Sequence, residues 1–411
     1  MIKRNMSLIV TNQFLTVLSD SIFTLAIMWY VYEVTNSALS TSLIVSITSL
    51  TSILLGPFIG VLVDRKEPKT SMQIGYALMI LVGIVLSIIY IATIDLIVLF
   101  IYLALVIHVV CMLFIGPAKN KLLPRIVGIP RIVKVNGYIL STSQTASLIG
   151  KSISGFIIGA VGFVGVMLFH SGIYLLASIL LIFVINIALP KEVQPENIVS
   201  APKKESMWLE FKEGLTILKG NRPIFKIILL ATALNATTIA GALLVVLVSI
   251  QYGANAVQFG LFNAAAAVSG IVIGLVATKV TNFAKPYFVM FIMLFISGIG
   301  FLCMGLTTNF YLGMFFYVIM TVSAIVYSIL GNTLIIVLVE DKFRGRLMTL
   351  QSAIASLLIP VFSIAGGIIA DVIEIKYLFI FAGLWMVVCS FFPLIDRDIR
   401  AVERLSSEEN S

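Results

Sequence analysis

Charge is what this sequence has least of. Only 11% of its 411 residues are Asp, Glu, Lys or Arg, and 60% are hydrophobic; soluble domains average about 25% charged. A soluble fold is excluded, because long soluble chains divide into domains with polar surfaces. Histidine is scarcer still. His108 and His170 are the two in the chain, and neither belongs to an HExxH or Ser/His pattern, which excludes a membrane protease of those kinds. The three cysteines, Cys111, Cys303 and Cys389, lie far apart with no CxxC spacing. Disulfide and zinc readings lack support, and the three read as packing residues. Alternation of apolar and polar residues is missing too, so a membrane barrel does not fit. The nearest approach to a nucleotide loop, Gly150-Lys151-Ser152, has Thr145 where the first glycine belongs and sits in an apolar run. A nucleotide-driven pump is therefore excluded. There is no separate basic domain, so the net charge of +8 does not point to nucleic acid. No filter-like segment or charge ring marks a channel. No cofactor and no metal site are expected.

What is present is a series of long apolar runs. A helix needs about 20 apolar residues to cross the hydrocarbon core. Such runs fall at residues 8–32, 38–63, 71–93, 96–117, 137–160, 166–189, 224–250, 257–279, 286–306, 309–333, 347–371 and 377–395. The expected fold is an all-α membrane protein of twelve transmembrane helices. Lys3 and Arg4 precede a long first run with no small-residue cleavage site behind it, so the start is not read as a cleavable signal peptide.

Charge placement supports both the count and an orientation. With the N-terminus in the cytoplasm, alternate breaks between runs hold 25 of the 27 Lys and Arg residues. The outer breaks hold Lys376, and Lys151 lies inside a run. Such asymmetry over short loops orients a membrane protein. One missed or invented span would scramble it.

The longest polar stretch, residues 191–223, divides the chain into halves 1–190 and 224–395, with a cytoplasmic tail from 396 to 411. Within it, Met207 to Lys219 has apolar residues at helical spacing, which suggests an amphipathic helix on the inner membrane surface. A solvated linker helix fits the same pattern. Gly56-x3-Gly60 ends the second run and Gly270-x3-Gly274 the eighth, the second of its half. Small residues four apart allow close helix approach, and an internal repeat is typical of secondary transporters.

Four motifs carry a resemblance to a known family. They are Gly60-Val-Leu-Val-Asp64-Arg65; Gly116-Pro117-Ala118-Lys119-Asn120 with Leu122-Leu123-Pro124 and Asn136-Gly137; Phe211-Lys212-Glu213-Gly214-Leu215 with Asn221-Arg222-Pro223; and Arg344-Gly345-Arg346. Over nearly the whole chain the sequence resembles the major facilitator superfamily, in its macrolide-efflux and siderophore-exporter branch. The resemblance implies two six-helix bundles, alternating access about a central site, export, and proton antiport. It also implies that Gly60, Asp64 and Arg65 belong to a gating loop at the cytoplasmic face. The chain departs from the pattern in two places. The signature loop continues as Glu67-Pro68-Lys69 in place of Gly-Arg-Lys, and Gly150 is followed by Lys151 where efflux members often carry proline.

Ionisable residues inside a membrane cost roughly 2.5–3.5 kcal/mol each on insertion scales, so each is a functional hypothesis. Asp20, His108 and Lys151 lie near the middle of their runs. Asp20 reads as a proton carrier or cation-binding group, or else as one partner of a structural ion pair. Lys151 reads as a counter-charge for an anionic substrate, or as that pair's other member. Histidine changes charge readily at physiological pH; the alternative for His108 is a neutral ring bonded to a neighbouring helix. His170 reads as interfacial, as do Trp29, Tyr30 and Tyr32. In the second half, Asn235 and Asn332 would line the cavity if the family's helix arrangement holds. The expected partners are a small-molecule substrate, protons and lipid, with the chain acting as a monomer. The substrate is either a metallophore-like anion or zwitterion, or a macrolide-type drug. A non-transporting membrane sensor on the same fold is the reading from a different class.

Overall fold

The structure is a computed structural model that describes residues 2–92, 96–128, 131–185, 222–281, 284–338 and 357–401. The expected amphipathic linker helix, the Arg344-Gly345-Arg346 motif and most of the C-terminal tail lie outside the described residues. The first four helices are α1 (Ile2–Thr35), α2 (Ala38–Asp64), α3 (Pro68–Ala92) and α4 (Ile97–Val127). The stretch Ile132–Ile182 holds two spans, α5 (132–161) and α6 (163–182), joined at Gly162, whose φ of 65° suits glycine alone. Then follow α7 (Arg222–Gln251), α8 (Ala256–Thr281), α9 (Pro286–Leu306), α10 (Phe310–Leu338), α11 (Leu357–Ala370) and α12 (Ile375–Ile395). Ten of these stretches are long and apolar enough to cross a membrane, one of them divided at Gly162 into α5 and α6, and with the shorter α11 they make twelve helices among the described residues, in line with the twelve apolar runs. Their backbone bonds close within each segment, as a hydrocarbon solvent demands.

Two boundaries differ from the expectation. The fourth span does not stop at Pro117; α4 runs ten residues further, through Pro117 and Pro124. Its basic residues are therefore helical, and Lys119 Nζ donates to Gln13 Oε1 on α1 at 2.6 Å. The loop expected between the fifth and sixth runs shrinks to the single residue Gly162.

Contacts divide the chain into two units. The first holds Met1–Asn36, Ile47–Ala201 and Asn255–Ala264; the second holds Ser37–Ser46, Pro202–Ala254 and Ala265–Ser411. In the first, α1 lies against α4, α5 and α6. The apolar core gathers Ile9, Met72, Tyr76, Cys111, Leu122 and Tyr174. Two glycines set helix spacing there. A Cβ on Gly83 would collide with Met167 O, and one on Gly155 would collide with Ala256 O. Among the described residues the Gly56-x3-Gly60 pair does not act in this way: added Cβ atoms there meet nothing closer than 3.8 Å.

In the second unit α9 packs against α10 and α12, and a Cβ on Gly298 would sit 2.9 Å from Val387 N. Asp371, just past α11, accepts from the backbone N–H of Ala38 at 2.6 Å and of Leu39 at 3.2 Å. It thereby caps the first turn of α2, whose free donors need an acceptor. Asp396 follows α12 and pairs with Lys226 at 2.5 Å. Burial pushes the Asp396 carboxyl up, but the Lys226 ammonium and the N–H groups of Ile399 and Asp398 outweigh it and hold the carboxyl below its ordinary range.

Candidate functional site

Asp20 stands in the middle of α1, a helix with buried residues along its length. His108 is on α4 and His170 on α6, 88 residues and more from Asp20 in sequence. The packing of α1 against α4 and α6 brings the three together. Asp20 Oδ1 lies 3.2 Å from His108 Nε2 and accepts from Tyr174 Oη at 2.7 Å. Ser19 Oγ is 2.9 Å from His170 Nδ1. Phe23, one turn beyond Ser19, stacks on both imidazoles, with centroids 5.0 Å from His108 and 4.4 Å from His170.

Two polar atoms in this cluster are buried and find no hydrogen-bond partner among the described residues: Asp20 Oδ2 and His170 Nε2. Inter-helix hydrogen bonds in membranes contribute about 0.6 kcal/mol each on average. Two of them on Asp20 do not offset an insertion cost of roughly 3 kcal/mol. The cluster is therefore dearer than packing alone requires, which makes it the candidate site.

Lys151 sits elsewhere. Gly150 brings α5 against Leu18 and Ser21 of α1, where an added Cβ would be 2.9 Å from Leu18 O. Lys151 is thus level with Asp20, yet its side chain is exposed, and the pair that forms joins Asp20 to His108. Asn235 falls at a break in α7, where helix Arg222–Leu234 gives way to the 3₁₀ turn Asn235–Thr237. Its Nδ2 is buried and finds no partner among the described residues. Broken spans mark binding regions in transporters. Asn332 lies on α10 and Asp64 ends α2; their side chains lie outside the described residues. Gly60 is on α2 and Arg65 is exposed just beyond it. In the altered signature loop, Glu67 Oε2 accepts from Thr70 N at 2.8 Å, and Lys69 Nζ donates to the carbonyls of Ile182 and Val184, each at 2.9 Å. The departing residues therefore cap α3 and finish α6.

Two expectations are corrected. His170 is not interfacial: it is 1% exposed, because α6 starts directly after Gly162 and places residue 170 two turns inside. Trp29 and Tyr32 are likewise buried. Trp29 stacks on Phe259, and Tyr30 meets Tyr90 and Phe163. Trp29, Tyr30, Tyr90 and Phe163, with Glu33 and Asn255, line a cavity of about 650 Å³. Sequence reasoning also missed Ser19, Phe23 and Tyr174, residue types too common in spans to stand out.

Apolar helices of this number, with a break in α7 and ionisable groups buried among them, fit a multi-pass membrane protein. The profile of the Major Facilitator Superfamily matches residues 9–335, and the chain belongs to that family. Macrolide efflux protein A of Streptococcus pyogenes is 25% identical over 395 residues, covering 95% of this chain and 96% of the relative. Among solved structures, a bacterial homologue of the iron transporter ferroportin in an inward-facing state has a TM-score of 0.72 at 15% identity, over 96% of this chain and all of that one. The nucleoside transporter NupG has a TM-score of 0.70 at 11% identity, over 95% of this chain and 98% of that one.

Proposed function

We propose that the chain exports a small organic molecule across the cytoplasmic membrane by alternating access of its two six-helix halves, 1–190 and 224–395, coupled to proton antiport. The reading is carried by the buried Asp20–His108–His170 cluster, whose cost packing does not explain. Asp20, His108, Lys151, Asn235 and Asn332 are the substrate- and proton-binding residues on this reading. Gly60, Asp64 and Arg65 gate the cytoplasmic face. Both termini and the 191–223 linker lie in the cytoplasm, which the placement of Lys and Arg supports, and the chain acts as a monomer.

Two substrate classes fit. The His and Asp cluster, with the exposed Lys151 level with it, favours a metallophore-like anion or zwitterion. A macrolide-type drug is the second reading. It is favoured by the aromatic cavity around Trp29 and Tyr30, which carries the single carboxylate Glu33, and by the name of the S. pyogenes relative. A metallophore-synthesis cluster beside this gene would decide for the first.

The test is export from cells carrying Asp20→Asn or Lys151→Ala, with membrane abundance measured alongside. Each variant loses export at least tenfold at normal abundance, and an ionophore that collapses the proton gradient stops export by the native chain. Undiminished export from both variants refutes the site assignment.

A further inference from the structure

The Asp20 cluster has one carboxylate and two imidazoles whose donor atoms all lie within 4.8 Å of one another. Two ligands on one ion at about 2.1 Å are at most about 4.2 Å apart. Asp20 Oδ1 and His108 Nε2, at 3.2 Å, already meet that limit, and the remaining spacing closes with sub-ångström shifts. We propose that Asp20, His108 and His170 form a binding site for one divalent first-row transition-metal ion.

Five features of the site point the same way. His170 is 1% exposed, and its Nε2, like Asp20 Oδ2, is buried without a hydrogen-bond partner among the described residues. A metal bound by His170 Nε2 and by both oxygens of the Asp20 carboxylate gives both atoms a partner. The other ring nitrogen of His170 is held by Ser19 Oγ, which leaves Nε2 free to ligate; this outer contact accompanies nearly every metal-bound histidine. Tyr174 Oη fixes the Asp20 carboxylate in the same manner. Phe23 stacks on both rings and sets their planes. Asp20 and His108 keep side-chain exposures of 14% and 11%, so one edge of the site is reachable while His170 closes the other.

The donor set selects the ion. Two imidazoles and one carboxylate suit Mn, Fe, Co, Ni or Zn, whereas Mg²⁺ and Ca²⁺ want oxygen ligands and Cu(I) wants sulfur. Three protein ligands leave coordination positions open for water or for a donor atom of a small chelate. No spacing motif announces the site, because its ligands come from three separate helices.

The inference goes beyond the export reading and does not depend on it. Its test uses the full-length chain in detergent, purified through a tag free of histidine, and titrated with Co²⁺, Zn²⁺ or Mg²⁺ alone. One Co²⁺ binds per chain with the visible bands of nitrogen and oxygen ligation, and Zn²⁺ displaces it while Mg²⁺ does not. His170→Ala, His108→Ala and Asp20→Asn each weaken binding at least tenfold, and Ser19→Ala weakens it about tenfold through the orientation of His170, with helicity and monodispersity retained. The native chain decides the matter even where a variant fails to fold. If it takes up no stoichiometric Co²⁺, or if His170→Ala binds as tightly as native, the site is overturned, while the export result stands on its own assay.

Discussion

Asn5, Asn12, His108 and His170 are buried in the first unit, whereas the buried polar side chains described in the second are serines and threonines. The first unit ties its helices with long-range side-chain bonds. Asn5 Nδ2 donates to Ile126 O and Ile185 O, and Asn12 Nδ2 to Ala177 O. The second combines close contact, with Gly298 facing Gly383 and Gly300 facing Phe316 and Met320, with bonds from less polar positions, Gln251 Nε2 to Gly305 O and Tyr252 Oη to Met304 O, each at 2.8 Å. Lipid is as apolar as leucine, so neither unit gains from burying apolar surface between helices. Hydrogen bonds and small-residue packing are the two remaining ways to hold spans together, and each unit uses both; what sets the first apart is that its bonds run from buried asparagines. The bonded interior is also the one that carries the ionisable cluster, since its polar frame keeps Asp20 and the histidines in register.

Breaking the bonded frame has the larger expected effect on stability. Asn12→Leu leaves Tyr76 Oη, which donates to Asn12 Oδ1 at 2.6 Å, without that acceptor and removes the donation from Asn12 Nδ2 to Ala177 O. Orphaned buried groups cost about 1–3 kcal/mol each, so stability against unfolding in detergent drops by about 3 kcal/mol. A change below about 0.5 kcal/mol, the size of an ordinary surface substitution, would break the contrast. Gly298→Val tests the packed frame. Its Cβ would sit 2.8 Å from Val387 Cγ2, and overpacking costs about 1–3 kcal/mol. The same unfolding assay shows a loss of about 2 kcal/mol, with metal binding by the first unit unchanged.

The spans were legible because about 20 apolar residues in a row have few alternatives to a membrane helix. Pro117 misled at the end of α4, where the local backbone cost of proline gave way to packing against α1. Asp20 and His108 stood out because charge in a span is rare. His170 did not, since its depth turned on a one-residue junction at Gly162 that hydropathy reads as a broader loop. That Asp20 pairs with His108 rather than Lys151 depends on helix rotation, which no spacing in the sequence encodes.

The first unit's cluster is central to the proposed transport, and one comparison tests that most directly: export by His170→Ala against export by Asn235→Ala, at matched membrane abundance. The expected result is that both lose export, His170→Ala at least tenfold and Asn235→Ala, which removes a neutral group at the break in α7, severalfold less. Full export from His170→Ala, with collapse in Asn235→Ala, would contradict it.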